Sequence, residues 1–192
     1  MNKCVRHILV EPNLRVPLFE TERLLCFSLT PEDYKVFESG NEPIWNEFTN
    51  PYKHLIEGPS PLRHRIPKVT ANPEFAVIGL VLGILKSDKV IIGSAGFHNM
   101  PNENGMIEIG FGIVPQMQRR GLGTELLIGM WQMIVKRPDV KILRYTVAPE
   151  NEPSMHIIKK FGFKLVGEQI DPEDGLELIF EESVSNFKAG GR

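Results

Sequence analysis

The chain has 192 residues, a formal net charge of -2 from 22 Lys+Arg against 24 Asp+Glu, and 42% hydrophobic residues. This size and balance fit one globular domain with a single core, and exclude wholesale disorder and fibrous repeats. Near-neutral charge gives no general attraction to nucleic acid or an anionic membrane surface, and two cysteines, Cys4 and Cys26, are too few for a disulfide scaffold.

The longest apolar run, Phe75 to Leu85, is shorter than the roughly 20 residues a membrane-spanning helix needs. Residues 1–19, with Pro12 and Pro17, show no period and no secretory core, so they read as an N-terminal extension of a cytoplasmic protein. The domain proper is set at 20–183, with 184–192 as a C-terminal tail. Leu24 to Phe27 reads as a strand, and Thr30-Pro31-Glu32-Asp33 as a helix start with a capping hydroxyl, a first-turn proline and early acids. A second helix is expected from Pro43 to Ile56. Gly58 to Pro73 holds four prolines (59, 61, 67 and 73) and is expected to be irregular. Its Arg63, Arg65 and Lys68 either form a solvated basic stretch or hold an acidic group on a ligand.

Phe75–Leu85 and Val90–Phe97 are expected to pair as a hairpin, and a turn at Asn102 to Gly105 leads into a third strand, Met106–Val114. Leu122, Leu126, Leu127, Met130 and Ile134 recur at helical spacing. A strand at Ile142–Val147, a short helix at Ser154–Phe161 and strands near Lys164–Glu168 and Leu176–Glu181 complete the chain. The expected class is α+β: one domain with a mixed, mostly antiparallel sheet flanked by helices.

The most informative stretch is Ile107 to Glu125. Gln118-Arg119-Arg120-Gly121-Leu122-Gly123-Thr124 opens the long helix directly after a strand and a short loop. The first N–H groups of a helix lack internal partners, and the dipole adds about half a positive charge there, so this turn suits a bulky anion such as a pyrophosphate. It is neither a P-loop nor a dinucleotide fingerprint, since no Gly-Lys-Ser/Thr follows and position 126 is Leu. Glycines at 121 and 123 equally suit a relaxed helix start with solvated Arg119 and Arg120.

The run Gln118 to Gly123 resembles the Gln/Arg-x-x-Gly-x-Gly/Ala motif of the GNAT superfamily of acetyl-CoA-dependent N-acetyltransferases. Glu20 to Leu24, Leu29 to Asp33, Ile107 to Gly110, Asn151 to Ser154 and Phe161 to Phe163 are similar to segments of its RimJ/RimL-like branch. The resemblance implies a GNAT-like domain whose sheet halves splay apart. It implies a CoA pyrophosphate bound by the amides of Gln118, Arg119, Arg120, Gly121, Leu122, Gly123 and Thr124. It further implies a pantetheine arm against Ile113 and Val114, and a cofactor contact at Asn151, a residue that also suits a helix N-cap.

Direct acetyl transfer needs a neutral amine. Strand alternation puts Glu108 on one face with Gly110 and Gly112, which leaves room for a thioester and an amine, so Glu108 is the candidate base or else a structural carboxylate. A free backbone N–H near Val114 is expected to receive the oxyanion. Many relatives carry a tyrosine on the short helix and this chain has none there; the resemblance implies Ser154, at the position the RimL-like branch uses, as the candidate acid for the leaving thiolate, and the residue equally suits a first-turn helix serine. The histidines show no metal-ligand spacing, so no metal is expected. The implied acceptor is a small-molecule or peptide amine, and the protein a monomer or homodimer. A non-catalytic acyl-CoA sensor is the alternative.

Overall fold

A computed structural model of the protein describes residues 15–58, 60–173 and 175–190; Cys4 and the rest of 1–14 lie outside the described residues. The strands are β1 Phe19–Glu20, β2 Leu24–Ser28, β3 Val81–Leu85, β4 Val90–Phe97, β5 Met106–Ile113, β6 Ile142–Val147, β7 Lys164–Asp171 and β8 Gly175–Ser183. They form an eight-stranded sheet in the order β1-β2-β3-β4-β5-β6-β8-β7. The β5–β6 pair is parallel and its neighbours are antiparallel. The helices are α1 Pro31–Glu38, α2 Leu62–Ala71, α3 Ala76–Gly79, α4 Leu122–Ile134, α5 Glu152–Lys160 and α6 Val184–Ala189. The expected α+β class and mixed sheet are observed.

One break in the sheet positions everything else. The β5–β6 ladder runs only from Met106↔Ile142 to Glu108↔Arg144, whereas β5 continues to Ile113. Beyond Glu108 the two strands part, while β6 stays with β8 as far as Val147↔Leu178. On one side of the sheet α4 buries Leu122, Leu126, Leu127, Met130, Trp131 and Ile134, the stripe its spacing predicts. Trp131 packs against Phe161, Phe163 and Phe187 at centroid distances of 4.9, 4.8 and 6.0 Å. Phe187 lies on α6, so the stretch expected as a tail holds a helix docked on the core. Among the described residues, sheet pairing begins at Phe19.

Three expectations are corrected. The segment Pro43–Ile56 forms no helix. Asn50 hydrogen-bonds the backbone of His54 from both ends of its amide, and Lys53 and Leu55 take φ of 52 and 67, which breaks any helical run. Thr49 instead makes a bridge to Val90. Conversely, the stretch expected to be irregular contains α2, which begins beside Pro61 and holds Pro67 inside. An internal proline costs a helix about 3 kcal/mol; burial of Leu62 and Val69 on one face, at about 1.5–3 kcal/mol per side chain, offsets it. Finally, the first part of Phe75–Leu85 is not strand. Pro73–Phe75 forms a 3-10 turn capped by the Asn72 side chain and runs into α3, with β3 starting only at Val81.

Candidate active site

The end expected to meet the cofactor is built from backbone. After β5, Pro115–Met117 forms a 3-10 turn, and Gly121 starts α4 with φ 75 and no side-chain cap. Glu125 N–H donates to the Gly121 carbonyl, so the N–H groups of Leu122, Gly123 and Thr124 precede the first intrahelical bond. Arg119 also takes a left-handed φ, 61, and it and Arg120 are exposed. Gly121 is required by its own backbone angle. Gly123 has a different reason: a Cβ there would lie 2.9 Å from the Phe111 ring, so its bareness lets α4 press on β5. The turn is held from behind by Arg23. Its backbone N–H and Nε donate to the Glu125 carboxylate and its Nη1 to the Arg120 carbonyl, while the Thr21 hydroxyl donates to Glu125 at 2.5 Å.

On β5 the even residues turn their backbone groups to β4: His98 N–H donates to Glu108 O, and Val114 N–H to Ile92 O at 3.0 Å. The expected free N–H at Val114 is therefore absent, because the ladder with β4 consumes it; the Val114 carbonyl in turn accepts from Met117 N–H. By alternation, the groups of Phe111 and Ile113 face the gap left by β6. The Ile113 carbonyl accepts from the Gln118 side chain at 2.8 Å.

The acceptor end is built from side chains. A cleft of about 980 Å³ lies over the paired positions Ser94↔Gly112 and Gly96↔Gly110, walled by His54, Arg63, His64, Arg65, His98, Phe111 and Glu173. Nothing lies within 4 Å of a Cβ placed on Gly112, so that part of the floor is open. Gly110 is covered by the His98 ring, whose Nε2 would sit 2.8 Å from a Cβ there. His98 Nδ1 faces Glu108 Oε1 at 3.4 Å, and the Thr146 hydroxyl donates to that same oxygen at 2.6 Å. Burial first, and the Arg65 cation second, push His98 down to about 4. Burial likewise pushes His54 down to about 4, and its Nε2 lies 2.8 Å from the Ser94 hydroxyl. Both rings are neutral at pH 7. The basic stretch is not simply solvated: Arg65 is buried with its Nε donating to Gly79 O, and Lys68 Nζ donates to His98 O at 2.7 Å. Arg63 reaches across to Glu173 in the β7–β8 turn.

Behind the gap, Ser154 is buried at the start of α5 and its N–H donates to Asn151 Oδ1, so Asn151 is an N-cap. The Ser154 side chain lies near enough to the Tyr145 hydroxyl to favour its ionised form, but burial dominates and pushes that hydroxyl up to about 12; Tyr145 is a β6 residue whose ring is 6.1 Å from Phe111. Sequence reasoning missed His54, His98, Thr146 and Tyr145. The only signal available was the period-2 face shared by Tyr145 with its β6 neighbours and by His98 with Glu108 through the hairpin turn. Among the described residues no group of three or more His, Cys, Asp or Glu is placed to hold a metal, and no helix is long and apolar enough to cross a membrane. Cys26 is buried in the core, where its thiol is pushed up to about 12.

Over residues 23–164 the chain matches the family model described as Acetyltransferase (GNAT) domain. It is 26% identical over 157 residues to the uncharacterized N-acetyltransferase YoaA of Bacillus subtilis (strain 168), covering 79% of this chain and 85% of that relative. Among solved structures, mutant forms of the spermidine/spermine N-acetyltransferase SpeG from Vibrio cholerae match with a TM-score of 0.61 at 14% identity, covering 88% of this chain and 100% of that one. The RimL ribosomal L7/L12 α-N-protein acetyltransferase in complex with coenzyme A matches with a TM-score of 0.61 at 12% identity, covering 88% of this chain and 98% of that one. Equal fold similarity to a polyamine enzyme and a protein enzyme leaves the choice of acceptor to the cleft itself.

Proposed function

The chain belongs to the acetyltransferase (GNAT) family and uses acetyl-CoA, and on that premise we propose that it acetylates a primary amine, of a small molecule or a peptide, by direct attack in the cleft over Gly110 and Gly112. The observation that carries this reading is the shared strand. β5 turns open backbone toward the gap at Phe111 and Ile113, carries the Glu108 carboxylate on its cleft face, and ends at the bare N-terminus of α4.

In this reading the CoA diphosphate meets the N–H groups from Arg119 to Thr124, with the Arg119 and Arg120 side chains beside them; the amide contact expected at Gln118 is withdrawn, because its N–H donates to the Pro115 carbonyl. The pantetheine arm follows the β5 edge at Ile113, with Val114 shaping the turn and Asn151 across the gap. The oxyanion is received by the Phe111 or Ile113 N–H, since Val114 is committed to β4. The amine nitrogen bonds the thioester carbon, its proton passes to His98 Nε2, and the C–S bond breaks. Glu108, fixed by Thr146, holds the ring and stabilises the imidazolium. Ser154, beside Tyr145, donates a hydrogen bond toward the departing sulfur; a phenol pushed up to about 12 is a poor full proton donor to a thiolate of about 8.5. With the cleft empty, a histidine held near 4 is a poor acceptor from an α-amine of pKa about 7.7–8.0, an uphill transfer on the order of 5 kcal/mol.

We favour the RimJ/RimL-like branch, because Thr21 and Arg23 of its opening segment are the residues that brace the cofactor turn. Thiol release on mixing acetyl-CoA with a panel of amines, with mass detection of the product, tests the proposal. Acetylated product is the expected result. Tight coenzyme A binding with no thiol release from any amine overturns it in favour of a sensor.

A further inference from the structure

Two charged side chains are buried among the described residues, Asp33 at 3% and Arg65 at 6% exposure. Asp33 is fully answered. Arg15 meets it bidentately at 2.7 and 2.8 Å, and Thr30 N–H and Trp45 Nε1 donate to it. Arg65 is not. Its hydrogen bond runs from Nε to the Gly79 carbonyl at 3.1 Å, and no carboxylate lies within ion-pair distance of it among the described residues.

Its surroundings deepen the imbalance. Lys68, one turn along α2, adds a second cation that donates only to a carbonyl. The Tyr34 hydroxyl, which lies close enough to act on the Arg65 charge, is buried without a partner. Glu108 acts on Arg65 electrostatically but is held by Thr146 and His98. Arg63 and Glu173 cancel each other at the mouth. A buried guanidinium is normally matched by an anion inside the protein. Here it lines the cleft, so the matching anion has to arrive with the ligand.

We propose that the acceptor amine carries a carboxylate that pairs with Arg65, making the substrate class an amino-acid-like or C-terminal carboxylate amine and not a polyamine. This rests on the cleft being the acceptor site. With Nε occupied, the guanidinium keeps its two terminal nitrogens, a fork that fits the two oxygens of one carboxylate. Arg65 and Lys68 against Glu108 leave one net positive charge, which suits one monoanion better than a phosphate. A polycation would add to the surplus positive charge.

The same pairing strengthens the base. His98 is faced by Arg65, Lys68 and His64 on α2 and by Glu108 on β5, and Arg65 is the largest charge acting to lower it. A carboxylate on Arg65 offsets that influence, so the correct acceptor raises the proton affinity of the ring that must deprotonate it.

The test compares matched ligands on the wild-type protein, which needs no variant to fold. Calorimetry on the CoA-loaded protein measures N-acetyl amino acids against their carboxamides. The acids are expected to bind at least about 10-fold more tightly, and equal binding overturns the inference. In turnover, free amino acids are expected to exceed their amides by roughly 30-fold or more in kcat/KM. Spermidine, amides or aminoalkyl phosphates as the better acceptors overturn it. Arg65→Met should bring the acid-to-amide ratio close to one with coenzyme A affinity unchanged, and should move the acidic limb of kcat/KM to higher pH; a ratio that persists in the variant overturns the assignment to Arg65. Failure of acetyl transfer itself reads differently, as absent thiol release with every amine while the binding preference stands.

Discussion

The two ends of the cleft are made of different material. The end proposed for the cofactor is backbone: the bare N–H groups at the start of α4 and the β5 edge at Ile113. Its side chains brace from outside, as Arg23 and Glu125 do. The acceptor end is side chain: His54 from a left-handed turn, Arg65 from α2, His98 from just past the end of β4 and Glu108 from β5, with Glu173 closing in from the β7–β8 turn. A diphosphate is one ligand throughout the family, so one stretch of chain can encode its receptor. An acceptor is particular, and its receptor is assembled from segments as far apart in the chain as Arg63 and Glu173.

The contrast can be broken most sharply at Gly121. Gly121→Glu forces a side chain into φ 75 and sets a carboxylate at the anion site. Coenzyme A affinity should fall at least about 100-fold, since adding like charge and backbone strain together costs on the order of 3 kcal/mol or more. Gly121→Asn, which tolerates the left-handed angle, should keep most of it. Titration calorimetry reads both, and unchanged binding by the Glu variant removes the turn as the cofactor site.

His98→Gln sharpens the other side. It should lower kcat by roughly 100-fold, the scale of a lost general base, with coenzyme A affinity intact. Glu108→Gln should lower kcat less and shift the pH profile, because it acts through His98. Equal kcat in His98→Gln and wild type would return the base role to Glu108 alone.

The smallest effect is on stability. His54 and His98 are both pushed down to about 4, below the unfolded value of about 6.5. Between these values the unfolded chain takes up protons that the folded chain refuses, so stability is full above pH 6.5 and is lost as pH falls toward 4. After discounting for the partly exposed His98 ring, each histidine contributes on the order of 1 kcal/mol. Thermal melts at about pH 7 and about pH 5 should show a fall in Tm that shrinks in His54→Asn. A drop of the same size in that variant would remove His54 as a source.

The sequence showed its strengths where the physics is local. The helical stripe of α4, the capping hydroxyl of Thr30 and the alternation along β5 all need only neighbours in the chain, and all are observed. Proline content misled at α2, because a buried face outweighed the missing hydrogen bond at Pro67. The helix expected over Pro43–Ile56 does not form, as the side chain of Asn50 competes with a helix for the backbone of His54.

What residue order alone determined is the α+β class, the strands from Val90 to Ile113, the α4 stripe and the glycine-bearing turn before it, since each depends on spacing between near neighbours in the chain. What only the tertiary structure decided is which side chains meet. The bond of Thr146 to Glu108, the seat of His98 on Glu108 and the burial of Arg65 without an acid depend on strand order and on the point where β6 leaves β5. Burial and the company of charges are properties of the packed molecule, and they decide which ionised groups are left for a ligand to answer.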